Sequence, residues 1–206
     1  FNLSTYVRPG KNTIALEVYR RSDGSYLECQ DFWRISGIER AVYLYTRPKI
    51  YLSDFRVEAG FKNAYKDGVF KLEVDLDGTV DKKQKASLEV NLTKEGKSIF
   101  SKAETFEIVP GGKVGLKFQH EIPSVESWTA ETPELFDLNL ILKDKKGNLI
   151  EAVSRKVGFR TSEVKNGQYL LNGKPILFKG VNRHEHDPNT GHVVSREDML
   201  RDIQIF

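Results

Sequence analysis

From Val69 to Leu76 the chain reads VFKLEVDL, with Phe70, Leu72, Val74 and Leu76 set against Lys71, Glu73 and Asp75. A period of two sends the first set to one face and the second to the other, as in an antiparallel strand with one wet side. The pattern recurs in SLEVNL (Leu88, Val90, Leu92), VGLKF (Val114, Leu116, Phe118) and FDLNLIL (Phe136, Leu138, Leu140, Leu142). IYLSDFRVEA at 50–59, KSIFSKA at 97–103 and LIEAVSRKVGF at 149–159 bring the set to about seven strands, and DGTVDKK, KEGK, VPGGK and DKKGN supply turns between them. About seven short strands in about 110 residues, with no helical period between them, predict an immunoglobulin-like β-sandwich.

The flanks carry different patterns. NTIALEVYR alternates Ile14, Leu16 and Val18, and RAVYLYTRP follows after a polar loop, so residues 12–20 and 40–48 predict a pair of strands from another β-domain, too short to stand alone. After the sandwich, Asn166-Gly167 and Asn172-Gly173 are strong hairpin signals. PILFKGV then reads as a continuous apolar strand, and SREDMLRDIQIF as a helix capped by Ser195, with Asp198 three residues on and Met199, Ile203 and Phe206 along one face. Strand, loop and helix in that order predict the first βα unit of an α/β fold, whose loop is where functional groups collect.

Composition narrows the function classes. The 39% hydrophobic and 30% charged residues are those of a folded globular protein, and a net charge of +3 from interspersed 32 basic and 29 acidic residues offers no basic stripe for nucleic acid. No apolar run reaches the roughly 20 residues of a membrane helix. Cys29 is the single cysteine, so the chain can form neither an internal disulfide nor a cysteine zinc site, and it reads as a small buried hydrophobe. The chain opens on Phe1 without leader character and stops on a helix without a C-cap signal, so the expectation is a fragment of a longer protein whose apolar faces at both ends are solvent-exposed, disordered or buried in a dimer.

Chemistry concentrates in NRHEHDP, residues 182–188, which holds two of the four histidines. A helical zinc site needs histidines four apart, whereas His184 and His186 are two apart, and no third ligand can be named. The remaining readings are a loop in which the imidazoles satisfy backbone groups, or a histidine at the carboxyl end of a barrel strand facing a pocket.

LNGKPILFKGVNRHEHDPNTG resembles the opening of the catalytic barrel of the glycoside hydrolase family 2 β-galactosidases, and SDGSYLECQDFWRISGIERAVYL (22–44) resembles the end of their sugar-binding-like jelly roll. SWTAETPELFDLNL and VGFR (157–160) are similar to their sandwich, so the likeness covers the whole chain. Within DGSYLECQDFWRISGI, the Trp33-Arg34 pair with Asp31 upstream is closer to the galactosidases. The β-glucuronidases are similar through SGI and LYTRP but differ in the aromatic segment before the glycine. A β-glucuronidase or another family 2 β-glycosidase is therefore the alternative. Cys29 departs from the family, where an acidic residue is common at that position.

The resemblance implies a mainly β fold: the end of a jelly roll at 1–47, an immunoglobulin-like sandwich at 48–161 acting as a spacer, and the start of a TIM barrel at 162–206. It implies a retaining mechanism with two carboxylates about 5 to 5.5 Å apart. Both family glutamates belong to later barrel strands, so this chain alone is expected to be inactive, and Glu185 matches neither of them. Asp31 matches the aspartate that binds a galactosyl hydroxyl and a sodium ion, and His184 the histidine that binds the sugar and stabilises the oxocarbenium-like transition state. His186 supports the loop, while Trp33 and Trp128 read as packing residues. The chain itself calls for no cofactor, the whole enzyme for Mg²⁺ and for Na⁺ or K⁺; its partner is a β-galactoside, with homo-oligomerisation left open and no compartment assigned. A reading of another class is a stand-alone carbohydrate-binding sandwich with Tyr51 or Tyr65 as the sugar platform.

Overall fold

A computed structural model describes residues 1–28 and 36–206 of the chain. It divides into two compact units, residues 45–178 and a second made of 1–44 with 179–206. The first contains β1 (Ile50–Lys62), β2 (Asp67–Gly78), β3 (Gln84–Lys94), β4 (Lys97–Ile108), β5 (Lys113–Ile122), β6 (Phe136–Asp144) and β7 (Leu149–Val157). All pair antiparallel, in one sheet of order β1-β2-β5 and one of order β4-β3-β6-β7. This is the predicted immunoglobulin-like sandwich.

Its core follows from the alternation. Leu72, Val74 and Leu76 of β2 are buried, as are Leu88, Val90 and Leu92 of β3, which stand directly opposite Leu142, Leu140 and Leu138 of β6. Each fully buried leucine contributes about 1.5–3 kcal/mol relative to exposure, and this replaces the cross-sheet disulfide of antibody domains. Phe159 closes one end, its ring edge-on to Phe136 with centroids 5.1 Å apart. The strands run longer than their alternating segments because pairing continues into polar ends. In β1 the sequence changes parity, from Ile50 and Leu52 to Phe55, Val57 and Ala59, and a bulge between Leu52 and Asp54 keeps both sets inward. The outer strands of the sheets carry exposed charges: Asp54, Arg56 and Glu58 on β1, Lys113 and Lys117 on β5, Lys97, Lys102 and Glu107 on β4, Arg155 and Lys156 on β7. At one end of β1, the Glu151 carboxylate accepts from the Leu52 backbone N–H at 2.8 Å.

The hairpins follow their turn residues. β8 (Ser162–Lys165), β9 (Gln168–Leu171) and β10 (Lys174–Pro175) form a small third sheet joined through Asn166-Gly167 and Asn172-Gly173, all four residues having positive φ. This sheet packs on the sandwich unit. Asn172 accepts from the Thr161 N–H at 2.9 Å and donates to the Trp128 carbonyl at 3.1 Å. Asn63, Ala64 and Tyr65, between β1 and β2, all lie in the left-handed region, and this turn sets the Tyr65 ring against Gly173 while its hydroxyl bonds Glu163.

The flanking strands are corrected. Residues 12–20 and 40–48 form no strand, and Leu16 is 55% exposed. PILFKGV forms no strand beyond Pro175, the last residue of β10, and Leu177, Phe178 and Val181 are exposed. A strand needs a neighbour to satisfy its N–H and C=O groups and a surface to cover its apolar side; the described residues pair no backbone along 12–20 or 40–48, and give 175–181 only the Ile176 N–H bond to the Tyr169 carbonyl and the Tyr169 ring beside Phe178. The helical half of the βα unit does form. A short α1 (Ser25–Glu28) lies near the start of the chain, and α2 (Arg196–Ile205) begins at Ser195, whose Oγ accepts from the Asp198 N–H at 3.1 Å, as its sequence predicts. Among the described residues no helix is long and apolar enough to cross a membrane.

Candidate functional site

The second unit holds the histidine-rich loop. Its geometry is built from Asp187, whose carboxylate Oδ1 accepts from the Asn189 N–H at 2.8 Å, the Thr190 N–H at 3.0 Å and the Thr190 hydroxyl at 3.1 Å. Asp187 and Gly191 also exchange backbone hydrogen bonds of 2.8 and 3.0 Å. Three donors on one carboxylate favour its ionised form, and these bonds, from Asn189 first and Thr190 next, hold Asp187 below the usual carboxylate range. The turn also requires Gly191 at φ +68°, a conformation that costs glycine little.

His184 and His186 are exposed on the approach to this turn. The His186 N–H donates to the His184 carbonyl at 3.0 Å, and the rings sit 5.9 Å apart between centroids, inclined by 33°. Glu185 is engaged by Arg40, whose Nη2 donates to Oε2 at 3.0 Å. Arg183, half-buried, donates from Nε to Asp202 on α2 at 2.6 Å. At the far end, His192 Nδ1 lies 3.2 Å from Glu39 Oε2. The loop is thus held at 183, 185, 187 and 192.

Asp31, together with Cys29 and Trp33, lies outside the described residues. Among the described residues no three His, Cys, Asp or Glu side chains come together as a metal site. The aromatic candidates are placed in the sandwich unit. Tyr51 has the Arg47 guanidinium 4.8 Å above its ring, and Tyr65 has Gly173 against its ring, so one face of each is covered. Trp128 packs on Gly158 with the Arg160 guanidinium 4.7 Å from its ring, at the end of a cavity of about 820 Å³ that opens between β1 and β7 over Val57, Ala59 and Val157. This cavity brings together none of the residues that the sequence singled out for chemistry.

Glu39, Arg40, Asp187 and His192 were missed by the sequence reading. Asp187 was within reach, because Asp-Pro-Asn-Thr-Gly is a turn sequence whose aspartate caps its own following N–H groups. Glu39 and Arg40 carried no such signal, since their partners stand about 150 positions away.

Three family models cover the chain in order: the glycosyl hydrolases family 2 sugar binding domain over residues 1–48, glycosyl hydrolases family 2 over 50–160, and the glycosyl hydrolases family 2 TIM barrel domain over 162–206. The central model alone takes in more than half of the residues. The chain belongs to glycosyl hydrolase family 2. It is 41% identical over 209 residues to a β-galactosidase of Priestia megaterium, covering 100% of this chain, and 41% identical over 204 residues to one of Halalkalibacterium halodurans, covering 99% of this chain. In both cases the match spans 20% of the relative's own length. Among solved structures it is similar to Bacteroides uniformis β-glucuronidase 2 covalently bound to cyclophellitol-6-carboxylate aziridine, at TM-score 0.82 and 18% identity over 91% of this chain and 24% of that one. It is also similar to the apo structure of B. uniformis β-glucuronidase 3, at TM-score 0.67 and 24% identity over 85% of this chain and 21% of that one. At such identities the likeness speaks for the fold.

Proposed function

We propose that the chain is part of a retaining β-galactosidase that releases terminal β-D-galactosyl residues. The observation that carries this reading is the match of the whole chain, at 41% identity, to β-galactosidases of two organisms. Its three parts are a jelly-roll segment at 1–47, a sandwich at 48–161 and the first part of the catalytic barrel at 162–206. The two glutamates of the double displacement lie on later barrel strands outside this chain, so the chain binds and orients substrate without turning it over. Glu185 supports that assignment, because its carboxylate is engaged by Arg40 and a lone carboxylate cannot run the reaction.

His184 supplies one wall of the sugar pocket. An exposed imidazole donates to a sugar hydroxyl whose position shifts as the ring flattens, so the bond strengthens on the way to the transition state. Asp31, on the resemblance, accepts from a galactosyl hydroxyl and is an oxygen ligand suited to sodium. Among the described residues no group of three His, Cys, Asp or Glu side chains completes such a site.

The test is a panel of chromogenic β-glycosides offered to the full-length protein. A galactoside is expected to be the preferred substrate, and preference for a glucuronide overturns the assignment. His184→Ala is expected to lower kcat/KM on the aryl galactoside by about a hundredfold or more, and an unchanged value removes His184 from the pocket.

A further inference from the structure

The loop that carries His184 is gripped by two consecutive residues from the other end of the chain. Arg40 reaches Glu185, 145 positions away, at 3.0 Å, and Glu39 reaches His192, 153 positions away, at 3.2 Å. The first contact is to the residue next to His184, and the second closes the turn that Asp187 builds. On the other side of His184, Arg183 is tied to Asp202 of α2 at 2.6 Å. His184 therefore sits between two neighbours that are both anchored, while its own ring is exposed.

The two grips differ in environment. The Arg40 and Glu185 side chains are 74% and 57% exposed, whereas those of His192 and Glu39 are 17% and 30% exposed. An exposed ion pair adds little to folding, so stability alone gives no strong reason for Arg40 to hold Glu185. What the pair can do is orient: the planar guanidinium gives the Glu185 carboxylate a directed partner through the Nη2–Oε2 contact, on the residue next to His184. Residues 39 and 40 fall within the stretch matched by the sugar binding domain model, and 183–192 within that matched by the TIM barrel domain model.

We propose that Glu39 and Arg40 are positioning residues for His184, a latch by which the sugar-binding segment sets the placement of the barrel's first loop. The proposal rests on the reading of His184 as a sugar contact. Its consequence is a division of labour: substrate affinity depends on the pocket as a whole, whereas the placement of one imidazole affects the transition state most, so loosening the latch lowers kcat more than it changes KM.

The experiment uses the full-length protein with an aryl β-galactoside. Arg40→Glu and Glu185→Arg, each alone, are expected to lower kcat about tenfold with little change in KM or in the thermal midpoint. The double variant restores the pair with its charges exchanged and is expected to recover most of the lost kcat. Glu39→Gln, which keeps an acceptor for His192 but not the charge, is expected to lower kcat less than Glu39→Ala. Single variants with wild-type kcat, or a double variant no better than the worse single, overturn the latch. His184→Ala is run beside them: if it loses activity while the latch variants do not, the latch alone fails, and if it retains full activity, the sugar-contact reading fails and takes the latch with it.

Discussion

KLEVDL at 71–76 and IALEV at 14–18 alternate in the same way, and only the first is a strand. Leu72 is fully buried, its strand paired on both sides by β1 and β5, whereas Leu16 is 55% exposed in a segment with no ladder. The difference lies outside both segments. Alternation prepares a surface, but it becomes a strand only when neighbours take up its backbone groups and a second layer covers its apolar side. The sandwich unit supplies both to each of its seven strands. Among the described residues of the unit containing 1–44 and 179–206, the apolar segments receive neither, and polar contacts gather around one loop.

The contrast can be tested most sharply by equal truncations in the two places. Leu140→Ala, in the layer between the sheets, is expected to lower the unfolding free energy by about 2–5 kcal/mol, measured by urea denaturation. Leu16→Ala is expected to stay within about 0.5 kcal/mol, and equal losses at the two sites would break the comparison. The hairpin sheet offers a middle case. Gly173→Ala places a Cβ inside van der Waals contact of the Tyr65 ring, at a φ of +75° that alanine rarely adopts, and is expected to cost about 1–3 kcal/mol in the same measurement.

The smallest effect separates the units by pH. Glu89 accepts from Asn91 at 2.9 Å and Lys143 at 2.5 Å, and these bonds hold its carboxyl below the ordinary value of 4.5. The folded state then binds fewer protons than the unfolded chain, so the contribution is present above that ordinary value and fades as pH falls through it toward the lowered one. Glu89→Gln is expected to flatten the decline of the sandwich's stability over that acid range. An unchanged slope would show that the bonds to Asn91 and Lys143 do not act on stability.

The sandwich was legible because its information is local. Leu88, Val90 and Leu92 announce their face within six residues, Asn166-Gly167 announces its turn within two, and Ser195 announces a helix start through its own side chain. The change of parity between Leu52 and Phe55 marks the bulge in β1, although the strand expected at 50–59 carried none. What local pattern could not supply was the neighbour. PILFKGV reads as a strand on composition alone, yet nothing in it states which strand would lie beside it. The site divides along the same line. His184 stood out by composition and by resemblance, while Glu39 and Arg40 became visible only when the fold brought them to the loop.

The exposed charges on β1, β4, β5 and β7 bear on solubility. A strand at the margin of a sheet offers its free backbone groups to any extended chain in solution, and a sandwich has four such margins. Adding a strand to one of them would press a foreign chain against Arg56 and Glu58, Lys102 and Glu107, Lys113 and Lys117, or Arg155 and Lys156, and strip water from groups with no partner waiting on the newcomer. The same two-residue rhythm that buries leucine inside thus leaves lysine, arginine and glutamate where sheet-to-sheet aggregation would begin, and there they oppose the pairing of one sheet margin with another.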